Sequence, residues 1–218
     1  MKKKSMLLVL VLAFSSILAA CGSYKFEPSL NIEVQDFNVT NQKNEQVSLD
    51  NLKGKPWLAM FIFTNCTTIC PPMTFNMTEV QQALQDEGLE DYQSVAFSGD
   101  PEVDKPDVLT NYLNTYNVVD ESKWQLLTGY QQKFIEQFAR KSFNSLVKND
   151  PNSDQVIHMS SYYLVNADGT VVKDYDGATN VPVETIVGDM KALINESSNT
   201  EVHVTSVFFC CLESSLGN

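Results

Sequence analysis

Between residues 37 and 195 the apolar positions change period several times, and each change predicts an element. "FNVTNQKNEQVSL" gives two short alternating runs around a polar turn, which reads as a β-hairpin, and "LKGKP" follows as a loop. Trp57–Phe63 is a continuous apolar run of strand length, the pattern of a central strand buried on both faces. Met73, Met77, Val80 and Leu84 then recur at helical spacing. Pro71 and Pro72 precede them and suit a first helical turn, where a missing N–H costs little. Tyr92–Ser98 and Trp124–Gly129 read as strands, with a helix between them marked by Val108, Leu109, Tyr112, Leu113 and Tyr116. Phe134, Ile135, Phe138 and Ala139 mark a third helix. "SYYLVNADGTVVKDYDG" is the clearest hairpin, with Asp168-Gly169 at its turn. Ile186, Val187, Met190, Leu193 and Ile194 mark a final helix.

Strands therefore alternate with helices until an antiparallel hairpin closes the series. That order predicts an α/β fold, a central mixed β-sheet flanked by helices, with an N-terminal β-hairpin. The ends of the chain read differently. "MKKK" and the apolar "MLLVLVLAFSSILAA" have the form of a signal peptide and lead into "LAAC", which looks like the lipobox of a bacterial lipoprotein. The expectation is removal of residues 1–20 and a lipid on Cys21, with residues 21–30 as a tether and 31–195 as the folded domain. Residues 196–218 begin as a polar linker and end in an apolar run too short to span a bilayer.

Composition narrows the function. A hydrophobic content of 43% supports a real core in one domain. The net charge of −12 moves to −15 once Lys2, Lys3 and Lys4 leave with the signal. No basic patch is available to meet phosphates, so nucleic acid is excluded as a general partner. A signal peptide places the domain on the extracytoplasmic face of the cell membrane, where disulfides form and persist.

Chemistry concentrates in "TNCTTICPPM", residues 64–73. Cys66 and Cys70 lie between a buried strand and a proline-started helix, the edge where open α/β sheets place their sites. A helix N-terminus favours thiolate over thiol. Four-residue spacing puts both sulfurs on one side of a helix. It permits a Cys66–Cys70 disulfide in the oxidised state and equally permits both to grip one ion. Thiolates select copper or zinc, and imidazole suits both. Of the two histidines, His203 lies in the tail and His158 directly precedes the closing hairpin. If that hairpin joins the same sheet, Cys66, Cys70 and His158 share an edge. Met73 and Met77 read as core residues first. Asp100, in "SGDPEVD", follows another strand end; it faces the same site, caps the next helix or starts a turn.

Three blocks, "NLKGKPWLAMFIFTNCTTICPPMT", "SVAFSGDPEVDKPDVLTNY" and "IHMSSYYLVNADGTVVKDY", together resemble the Sco/SenC family in order and spacing. The resemblance implies a thioredoxin-like fold and a membrane-tethered protein. It implies copper as the cofactor, held by Cys66, Cys70 and His158. It also implies a role in assembling the dinuclear copper centre of cytochrome c oxidase, whose copper-centre subunit is then the partner. Asp100 matches the family's Asp-Pro block, set behind the ligands or facing a partner. The tail, with vicinal Cys210 and Cys211, matches no part of the pattern and reads as incidental. The principal reading is a metal-delivery protein rather than an enzyme. The alternative is a thiol-disulfide reductase that keeps the oxidase's copper-ligating cysteines reduced through Cys66 and Cys70. A peroxidase reading is disfavoured because Arg140, the sole arginine, lies on a predicted helix face.

Overall fold

The structure, a computed structural model, describes residues 24–198. Its centre is β4 (Trp57–Ile62), every residue of which is buried. β4 runs parallel to β5 (Gln93–Ser98), which runs parallel to β6 (Trp124–Thr128). On its other side β4 pairs antiparallel with β9 (Ser161–Val165), which pairs with β10 (Thr170–Asp176). The hairpin of β2 (Asn38–Asn41) and β3 (Gln46–Ser48) extends the sheet beyond β6, and β1 (Ile32–Glu33) closes the far edge against β10. The eight-stranded order is β1-β10-β9-β4-β5-β6-β2-β3.

The period of two in the strands sorts their side chains onto two helical layers. Trp57 and Phe61 of β4, Phe97 of β5 and Tyr163 of β9 surround Phe143 at ring distances of 6.3, 5.4, 5.8 and 5.2 Å. Phe143 ends α4 (Gln132–Phe143), so α4 covers that face. The opposite face meets α2 (Cys70–Asp86): the Tyr162 hydroxyl donates to the Met73 carbonyl, and Trp124 Nε1 donates to Gln81 Oε1 at 3.0 Å. Met73, Met77, Val80 and Leu84 are all buried in α2, as their spacing predicts. α3 (Pro106–Leu113) lies beside α2, where Tyr112 and Thr74 share a 2.6 Å hydrogen bond. The last helix, α5, spans residues 183–198. Among the described residues no helix is long and apolar enough to cross a membrane.

Three features differ from the sequence reading, two of them because the elements are too short to show a period. Leu49–Leu52 forms a single helical turn, α1, running from the last residue of the expected hairpin to the first of the expected loop. It is capped where Asn51 N–H donates to Ser48 Oγ and Ser48 N–H donates to Asn51 Oδ1. Tyr116 lies beyond the end of α3. β7 (Val147–Asn149) and β8 (Val156–His158) form a separate two-stranded sheet. His158 is therefore the last residue of a hairpin of its own, paired with Val147, and β9 begins only at Ser161.

Residues 24–30, expected as tether, already touch the domain. The N–H groups of Ser29 and Leu30 both donate to Val172 O. The Tyr24 hydroxyl donates to Asp189 on α5 at 2.7 Å, beside Lys173 and Tyr175 on the same buried carboxylate. The expected signal at 1–20, lipidated Cys21, His203, Cys210 and Cys211 lie outside the described residues.

Candidate metal centre

The three predicted residues come together. Their ligand atoms, two sulfurs and an imidazole nitrogen, all lie within 4.8 Å of one another. Cys66 rides on the turn after β4, where its N–H donates to Phe63 O at 3.1 Å. Cys70 is the first residue of α2 and fully buried, and Pro71 and Pro72 follow it in the first turn. Its backbone N–H, one of the unpaired donors of that helix start, points at Cys66 Sγ at 3.3 Å. The two thiols are free, with no disulfide between them.

His158 reaches the pair from β8. Its Nε2 lies 3.2 Å from Cys70 Sγ, and its ring packs edge-on against Phe63 at 5.7 Å. Nδ1 lies 3.0 Å from the Met159 carbonyl, which assigns the Nδ1–H tautomer. That bond fixes the ring and leaves the Nε2 lone pair facing the sulfurs, the usual posture of a metal-ligating histidine.

The surroundings split the two thiols. A hydrogen bond from Cys70 holds Cys66 well below the ordinary thiol range, against the opposing effect of burial. The backbone N–H groups of Cys70 and Thr68 add to the lowering. Burial pushes Cys70 the other way, reinforced by its bond to Cys66 and the charge there. The reduced pair thus keeps one proton, on Cys70, and one thiolate, on Cys66. An ordinary thiol loses its thiolate as pH falls below about 8.5. Cys66 keeps its thiolate far below that, so iodoacetamide should modify Cys66 first, at a rate nearly constant from about pH 6 to pH 8.5. Peptide mass spectrometry across that range checks this; modification led by Cys70, or a rate rising tenfold per pH unit, contradicts it.

Two features of the surroundings hold the hairpin of His158 and the Cys66 loop in place. Gly99 sits beneath the β7–β8 hairpin: a Cβ there would lie 3.1 Å from Val156 Cγ1 and 3.4 Å from both Val147 Cγ1 and Ile62 O. Gly99→Val should therefore push the hairpin off the sheet and cost about 1–3 kcal/mol, the usual price of overpacking, read from urea denaturation. Asp104 is the second feature. Its side chain is fully buried, and Thr64 N–H, Thr64 Oγ1 and Ser98 Oγ all donate to its carboxylate. Sequence reasoning passed over Asp104 because a polar loop residue carries no periodic signal; its place four residues after Asp100 was the only cue. Asp100 itself is partly buried, its N–H donates to Ser98 Oγ, and burial raises its carboxyl beside Glu102 and Asp154. No hydrogen bond joins that carboxylate to the three clustered residues.

The sequence model of the SCO1/SenC family matches residues 27–195. The chain belongs to the SCO1/SenC family. It is 49% identical over 175 residues to the SCO1 protein homolog of Bacillus subtilis (strain 168), covering 80% of this chain and 90% of that protein. Among solved structures, BsSco, a Sco family cytochrome c oxidase assembly protein with a disulfide switch, is 49% identical with a TM-score of 0.72. That match covers 78% of this chain and 98% of BsSco. Bradyrhizobium japonicum ScoI, solved with copper bound, is 27% identical with a TM-score of 0.62, covering 74% and 99%. The fold of this SCO1/SenC chain is accordingly thioredoxin-like, as the three sequence blocks implied.

Proposed function

We propose that this SCO1/SenC protein binds copper through Cys66, Cys70 and His158 and uses it in assembling the dinuclear copper centre of cytochrome c oxidase. The observation that carries the reading is the convergence of two free thiols and a bare Nε2 within 4.8 Å. The donor set fits the ion: thiolate and imidazole suit copper, and Cys66 is already deprotonated for the role. Bound copper would supply a thiolate-coordinated cargo that can be handed to another site. Relatives support the reading, since a Sco protein has been solved with copper bound and another is an oxidase assembly protein. Tethering by a lipid on Cys21 at the extracytoplasmic face completes it, and mass spectrometry of the mature N-terminus tests that part. The functional test is transfer: copper-loaded protein mixed with the metal-free soluble copper-centre domain of the oxidase should metallate that domain. Copper that stays on the donor would overturn the reading.

The split between the two thiols favours a second activity of the same pair. The Cys66 thiolate attacks one sulfur of a target disulfide, forming a mixed disulfide and releasing the other target sulfur as thiolate. Cys70 then loses its proton and attacks Cys66, freeing the second target sulfur and leaving a Cys66–Cys70 disulfide. Two electrons pass to the target, so a further reductant must restore the pair. A disulfide-bonded peptide from the oxidase copper site is the substrate for that assay, and absence of exchange removes this reading.

A further inference from the structure

We propose that Asp104 is a positioning residue for the three-ligand site, an inference that rests on the copper reading above. A fully buried carboxylate is an expensive way to stabilise a fold, because an apolar side chain of that size avoids the desolvation cost. Here the carboxylate joins the ends of strands. Oδ1 accepts from Thr64 N–H at 3.2 Å and from the Thr64 hydroxyl at 2.5 Å, just past β4. Oδ2 accepts at 2.5 Å from the hydroxyl of Ser98, the last residue of β5. The Asp104 main-chain carbonyl accepts at 2.6 Å from the hydroxyl of Thr128, the last residue of β6. One residue thus clasps three neighbouring strands at the edge where the site sits.

The clasp acts on Cys66 through its loop. The turn that carries Cys66 is closed by Cys66 N–H donating to Phe63 O, and Thr64 lies inside that turn. Gln155 Nε2 holds the next position, donating to Asn65 O at 3.3 Å from the chain that leads to His158. Phe63, Thr64, Asn65 and Cys66 are therefore each tied, and Asp104 supplies the buried anchor. Its carboxylate is spent on Thr64 and Ser98. Asp104 sets where Cys66 lies relative to Cys70 and His158.

The test compares Asp104→Asn, Asp104→Ala, Thr64→Val and the double variant Asp104→Ala/Thr64→Val with the wild type. Three properties are read on reduced protein: copper affinity by chelator competition, the thiolate-to-copper absorption band, and, without metal, the preference of iodoacetamide for Cys66 over Cys70. Asp104→Ala and Thr64→Val should each weaken copper binding about tenfold, the low end for residues that support metal ligands, and move the band. Both should blunt the Cys66 preference. Asp104→Asn keeps an oxygen for Thr64 and should restore most of each property. The double variant should be no worse than Asp104→Ala, because both changes break one connection. Wild-type band, affinity and thiol preference in folded Asp104→Ala, or additive losses in the double variant, would overturn the proposal even if the melting temperature falls. Should Asp104→Ala not fold, Thr64→Val decides alone, since it removes a single hydroxyl. If the wild type binds no copper the copper reading fails, and the metal-free thiol preference still decides the part played by Asp104.

Discussion

Cys70→Ser should fold normally and bind copper on the order of 10²–10³-fold more weakly than the wild type. Thiolate sites for zinc hold about 10–16 kcal/mol of metal free energy, so one ligand of three or four carries about 3–4 kcal/mol, at about 1.4 kcal/mol per tenfold. Serine is nearly the same size as cysteine, and its hydroxyl can donate to His158 Nε2, which lies 3.2 Å from the sulfur it replaces. The burial of Cys70 therefore does not leave an unpaired polar group. The hydroxyl does not ionise at neutral pH, so the second anionic ligand is gone. Cys66→Ser should lose as much affinity and, in addition, the fast low-pH alkylation. Competition against a chelator of known affinity measures both; affinity within threefold of wild type for either variant would contradict a two-thiolate site.

His158→Gln should weaken copper binding by about a hundredfold and change the absorption spectrum, while leaving thiol-disulfide exchange within a few-fold of wild type. Glutamine roughly fills the space beside Phe63, so the edge-on ring contact at 5.7 Å is lost without opening a large cavity. The two proposed activities separate at this residue. Copper needs the Nε2 lone pair as a ligand, whereas exchange needs only a thiolate at Cys66 and a thiol at Cys70. Equal loss of both would mean that His158 serves the thiols rather than the metal. Unchanged copper binding would mean that the imidazole is not a ligand.

Much of this architecture was legible in the residues. The buried run at Trp57–Phe63, the helical spacing from Met73 to Leu84 and the Asp168-Gly169 turn each carry a strong period or turn signal, and each appears where expected. The convergence of Cys66, Cys70 and His158 was legible too, but by a different route than the structure takes. A strand of three residues, Val156–His158, offers too few positions for alternation to show. Its partner Val147–Asn149 is equally short, and the turn between them is polar. His158 therefore looked like a lead-in to the closing hairpin, when it ends a small sheet packed over Gly99. Asp104 was hidden for a related reason. Burial of its carboxylate depends on Thr64 and Ser98, while its main-chain carbonyl takes the Thr128 hydroxyl, and these partners meet only when β4, β5 and β6 align. Hydrogen-bond clasps of this kind have no local pattern.

The most direct measurement is a copper titration of the reduced protein, followed by absorption and by paramagnetic resonance. The two free thiols and the bare Nε2 of His158, all within 4.8 Å, predict a single bound ion per chain. They also predict a thiolate-to-copper charge-transfer band that grows linearly to one equivalent and is absent from the Cys66–Cys70 disulfide form. A band of equal strength in the oxidised protein, or saturation with no such band, would contradict copper ligation by this pair.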